Sequence, residues 1–111
     1  MTTVTILKTG TGAYAGLHVD GHAGYAAAGS DIVCAAVSTL TINTINSIDQ
    51  FTEDTVTVRQ DEQQVVIEAA FKGKEGDLSP EATLLLQSYE MGVSELAKQY
   101  DEVQVLIKER G

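Results

Sequence analysis

Tryptophan is absent, cysteine and proline occur once each, and aromatic residues make up only 5% of the 111 positions. A lone cysteine excludes an intrachain disulfide and a cysteine-only metal site within one chain. With so few aromatics the core must be built from Val, Ile, Leu and Ala. The apolar fraction of 43% is ordinary for a globular protein, so disorder is not expected. The length suits one domain spanning residues 1–111. No apolar run reaches the ~20 residues that a bilayer requires. The start, Met1-Thr2-Thr3-Val4-Thr5, has no basic region followed by an apolar stretch. Neither a signal peptide, a lipid anchor nor membrane association is expected, and the cytoplasm is the simplest location.

Positive charge is scarce too. The net charge is −9, and no Lys or Arg lies between Lys8 and Arg59. Direct nucleic-acid binding, which draws on Lys and Arg to meet phosphates, is therefore not expected. Chemistry in that half of the chain has no fixed cation to offer an anionic substrate. An acidic surface would instead speed encounter with a basic partner.

What is present is a regular alternation of patterns. Val4, Ile6 and Lys8 alternate with Thr3, Thr5 and Leu7, and the turn Gly10-Thr11-Gly12 leads to a second strand over Tyr14–Asp20. There Ala15, Leu17 and Val19 should face one way, and Tyr14, Gly16, His18 and Asp20 the other. A helix is expected from about Asp31 to Ile48, capped by Ser30 or Asp31, with Val33, Ala36, Val37, Leu40 and Ile48 inward. Thr55–Arg59 and Gln64–Phe71 read as a second hairpin around Asp61-Glu62-Gln63. Ser79-Pro80-Glu81 is a helix start: cap, Pro in the first turn, then an acid near the positive end. That helix runs to about Tyr100, with Ala82, Leu85, Leu86, Tyr89, Val93, Leu96, Ala97 and Tyr100 in one stripe, and Val103–Ile107 closes the chain as a strand. The order ββαββαβ predicts an α+β fold: a two-layer α/β sandwich with a largely antiparallel five-stranded sheet and two helices. Leu84, Met91 and Ile42 fall outside the core stripes, either as scattered surface apolars or as a homodimer seam.

Between the second strand and the first helix, Gly21 to Ser30 contains three glycines and no large aliphatic side chain. The stretch Ala23-Gly24-Tyr25-Ala26-Ala27-Ala28-Gly29-Ser30 is expected to be a mobile loop. Cys34 is placed in the first helical turn, where unpaired N–H groups favour a thiolate and could bind an oxyanion. His22 closes the second strand, close enough through the flexible segment to take the thiol proton and return it to a leaving amine. His18, mid-strand among polar neighbours, is expected to lie at the surface without a catalytic role. Asp31 could cap the helix or bond His22. Ser38, one turn after Cys34, could reach the sulfur or a backbone carbonyl. No Gly-Lys-Ser/Thr follows the glycines, which excludes a phosphate loop, and no ligand spacing joins His22, Asp31 and Cys34 into a metal site. No cofactor is expected.

The stretches Gly21-His22-Ala23-Gly24-Tyr25 and Gly29-Ser30-Asp31-Ile32-Val33-Cys34-Ala35-Ala36-Val37-Ser38 resemble the signature of the ribosomal-processing cysteine protease family, Prp. The resemblance extends at lower specificity over essentially the whole chain. It implies a cytoplasmic cysteine endopeptidase, with His22 and Cys34 at the family's catalytic positions. It also implies a homodimer, and a loop over Ala23–Ser30 that moves over substrate. The implied substrate is a large-subunit ribosomal protein carrying a short hydrophobic N-terminal extension. The extension would be cut after an aromatic residue and before a small one during ribosome assembly. The resemblance leaves the roles of Asp31 and Ser38 open. Two other readings compete: a non-catalytic assembly module that binds a basic ribosomal protein, and a thiol-dependent acyl transferase.

Overall fold

Five strands and two helices follow one another as β1 (Thr2–Lys8), β2 (Tyr14–Gly21), α1 (Ala28–Phe51), β3 (Thr55–Asp61), β4 (Val66–Lys72), α2 (Pro80–Gln99) and β5 (Val103–Glu109). This computed structural model describes residues 1–21, 28–61 and 66–110, with the side chains of 28–31 outside the described set. The order is the expected one. The turn between β1 and β2 closes through hydrogen bonds from the Thr9 amide to the Ala13 carbonyl (2.8 Å) and from the Gly12 amide to the Thr9 carbonyl (2.9 Å). Gly12 has φ +89°, a left-handed conformation that a side chain would penalise.

The sheet order is β3-β4-β2-β1-β5. Three neighbouring pairs are antiparallel, while β1 and β5 run parallel at one edge, so the sheet is mixed. Both helices are crossovers between parallel strands: α1 joins β2 to β3 and α2 joins β4 to β5. The two crossovers travel in opposite directions across the sheet and start from oppositely directed strands. The right-handed rule for such connections therefore puts both helices on one face. That face is the core, where Val4, Ile6, Leu17, Val19, Ile67, Ala69 and Phe71 of the sheet meet Val33, Val37, Ile45 and Ile48 of α1 and Ala82, Leu86, Tyr89 and Val93 of α2. Fully burying one such Val, Leu or Ile contributes on the order of 1.5–3 kcal/mol. Thr41, completely buried on α1, is tolerated there because its hydroxyl donates to the Val37 carbonyl at 2.7 Å.

Four expectations are corrected. Tyr14 packs in the core, because the β1–β2 register shifts after Leu7 and pairs Tyr14, rather than Ala15, with Lys8. The extra residue turns Tyr14 onto the helix face, where its hydroxyl donates to Glu90 at 2.7 Å. Ala36 is exposed: with Val33, Val37 and Leu40 already on the inner side, the helix rotates its small residue outward. Tyr100 is also exposed, at the C-cap of α2, where the backbone has become extended. The stretch Ile32–Phe51 is, by length and composition alone, apolar enough to cross a membrane. The core helix of a globular fold passes the same test, and the inner side of α1 is packed against the sheet.

Candidate active site

Cys34 sits on the inner side of α1 and is 5% exposed. Its sulfur lies against the end of β2: a Cβ placed on Gly21 would be 3.1 Å from Cys34 Sγ, and 3.4 Å from the Thr2 hydroxyl oxygen. Thr2 pairs with Gly21 across β1 and β2, and its amide donates to the Glu102 carbonyl at 2.6 Å. The helix thus carries the thiol onto β1 and the central strand β2 at the point where β2 ends. Valines on either side of the thiol, Val33 and Val37, are buried and hold α1 there.

The helix begins earlier than the sequence pattern predicts. Ala28, Gly29 and Ser30, expected as the end of a loop, are the first three residues of α1. Alanine is the strongest helix former and can start the helix ahead of the aliphatic stripe, while Gly and Ser are tolerated near an end. Neither Ser30 nor Asp31 is therefore the N-cap; both are inside the helix. Cys34 falls in the second turn, not the first. Its own amide faces the carbonyl four residues back, so it is not an unpaired donor, and the field of the helix end is strongest one turn away. This weakens the expectation that one local structure both activates the thiol and binds an oxyanion.

The two histidines are separated by the fold. His18 lies on the sheet face opposite the helices, its Nδ1 3.2 Å from Glu68 Oε1, and Glu68 is also paired with Arg59 at 3.3 Å. The sheet stands between it and Cys34, so it cannot take the thiol proton. His22 lies outside the described residues, as do Ala23, Gly24, Tyr25, Ala26 and Ala27 of the expected loop and the side chain of Asp31. Ser38 is half-buried one turn after Cys34, and among the described residues no hydrogen bond joins its hydroxyl to the sulfur. Nor do the described residues group three His, Cys, Asp or Glu side chains that could hold a metal ion. Gly21 and Thr2 are neighbours of the thiol that the sequence pattern does not single out. A glycine at a strand end beside the loop was the available signal, because strand glycines mark close approach.

The sequence model of the family described as cysteine protease Prp matches residues 1–104. This chain belongs to the Prp cysteine protease family. It is, on that ground, a cysteine protease. Comparison with curated proteins gave no match. Solved structures did. One is the ribosomal processing protease Prp from S. aureus in complex with a substrate peptide, with TM-score 0.83 and 24% identity over 99% of this chain and 100% of that one. The same protease with a covalently linked product peptide has TM-score 0.83 and 25% identity, covering 97% and 100% of the two chains. SMU.848 from Streptococcus mutans has TM-score 0.82 and 29% identity, covering 99% and 96%. Prp structures thus share the mixed five-stranded sheet with both helices on one face.

Proposed function

We propose that this Prp-family protease uses Cys34 as nucleophile and His22 as general base and acid. The observation that carries the proposal is the contact of the Cys34 sulfur with the end of β2, one residue before His22. His22 follows Gly21 directly in the chain, and consecutive Cα atoms across a trans peptide are ~3.8 Å apart. Elimination supports it: a cysteine protease needs a cysteine and this chain has one, while the other histidine is behind the sheet.

In this reading His22 takes the thiol proton and the thiolate attacks the scissile carbonyl carbon. The tetrahedral intermediate collapses, the C–N bond breaks, and the amine leaves with the proton from His22. Water, deprotonated by His22, then attacks the thioester and frees Cys34. Asp31, through a bond to His22, and Ser38, one helical turn after Cys34, are candidate assistants. The segment Ala23–Ser30 is proposed to move over substrate.

The substrate proposed is a large-subunit ribosomal protein with a short hydrophobic N-terminal extension, removed in the cytoplasm during ribosome assembly. Support comes from the S. aureus relative, a ribosomal processing protease seen with substrate and product peptides. The net charge of −9 suits a basic ribosomal protein. A homodimer is proposed as well, supported by the exposure of Leu84 (66%) and Met91 (71%) on α2 and of Ile42 on α1.

A peptide chloromethyl ketone carrying the apolar, Phe-containing sequence tests the nucleophile and base together. The wild-type chain should take up one equivalent on Cys34, as read by mass spectrometry, and His22→Ala should react far more slowly. Equal labelling of His22→Ala would contradict the assignment of the base.

A further inference from the structure

We infer that Gly21 is a positioning residue for the reaction, because the space left by its missing side chain is the seat of the Cys34 sulfur. The inference rests on Cys34 being the nucleophile. A Cβ at Gly21 would stand 3.1 Å from Sγ, and 3.4 and 3.6 Å from Thr2 Oγ1 and Cγ2. Even carbon atoms rest at ~3.5–4.0 Å from one another, and sulfur is larger, so a methyl at Gly21 would press the sulfur back by a few tenths of an ångström.

The glycine is not needed for its backbone. Among the described residues the glycines with positive φ are Gly12 and Gly76, so Gly21 has a strand conformation that alanine adopts without strain. What its replacement changes is space at the thiol. The seat is also rigid. Gly21 and Thr2 are register partners on β2 and β1, two strands inside the sheet rather than at its edges. From the helix side the buried Val33 and Val37 fix the height of the thiol. Attack requires the sulfur and the carbonyl carbon to meet at ~3–3.5 Å, and a shift of 1 Å can cost on the order of 100-fold in rate. Gly21 therefore acts through Cys34, by fixing where the sulfur waits.

Gly16 supplies the control. It lies on the same strand, and its Cβ would come 2.8 Å from the Ala69 carbonyl oxygen, far from the thiol. Gly16→Ala should lower the melting temperature without changing kcat per folded molecule. Gly21→Ala, which displaces the sulfur by a few tenths of an ångström, should lower kcat by about 3- to 10-fold with KM within about twofold of wild type. A Gly21→Ala enzyme with wild-type kcat, or one whose loss only follows its unfolded fraction, would overturn the inference. Because Gly21→Ala could itself fold poorly, the second measurement is the double variant Gly21→Ala/Cys34→Ala. Removing the sulfur opens the seat to the new methyl, so the double variant should melt higher than Gly21→Ala alone. A double variant melting no higher than Gly21→Ala would overturn the seat. This comparison needs no activity, so it separates a failure of the seat from a failure of the nucleophile assignment.

Discussion

Tyr89 is 1% exposed, and its hydroxyl lies 2.8 Å from the Thr41 hydroxyl. Since Thr41 gives its proton to the Val37 carbonyl, Tyr89 must be the donor of that pair. Burial pushes the phenol up to about 12. The folded value lies above the unfolded value of ~10, so the native state holds this proton more tightly. The resulting stability is complete below pH ~10 and is lost as the pH rises through about 12. Tyr89→Phe should therefore cost about 1 kcal/mol at pH 8, the value of one buried hydrogen bond. In thermal melts that gap should narrow as the pH climbs from 10 toward 12, and a gap constant with pH would contradict this account. Residue by residue, the sequence showed the inner stripe of α2 well, because heptad-like spacing survives in any helix that covers a sheet. It could not show Tyr14, whose side depends on one extra residue in β2, nor the contact of Gly21 with the thiol, which joins distant segments.

Among the elements, α2 was the most legible and its start is the most testable. The Ser79 hydroxyl accepts from the Ala82 amide at 3.1 Å and is itself tied to the Asp54 carboxylate, which also accepts from the Ser79 amide at 3.2 Å. Pro80 opens the helix and Glu81 sits in its first turn, as read from the sequence. Ser79→Ala should cost about 1 kcal/mol in urea unfolding. Asp54→Ala should also destabilise, and the two losses should be less than additive because they remove one network. Full additivity would mean that Asp54 does not act through the cap. The start of α1 was less legible: Ala28-Gly29-Ser30 carries no aliphatic periodicity, so composition favoured a loop where the backbone is helical. The parallel pairing of β5 with β1 was equally hidden, since a strand pattern does not state its neighbour.

For the molecule as a whole, the element order was enough to predict two layers, and chain chirality explains why both helices share a face. That arrangement brings Cys34 to the end of β2 and leaves His18 behind the sheet. The exposed Leu84 and Met91 give the proposed homodimer a test. Sedimentation should report about twice the 11.8 kDa chain mass, and Met91→Lys should shift the population toward the monomer. A wild-type chain that sediments as a monomer at high micromolar concentration would contradict the dimer. The central claim, that Cys34 carries out peptide cleavage, is tested most directly with a peptide bearing an apolar, Phe-containing N-terminal extension. The wild-type chain should cut it, and Cys34→Ala, with an unchanged circular dichroism spectrum, should not. Undiminished cleavage by Cys34→Ala would contradict the account.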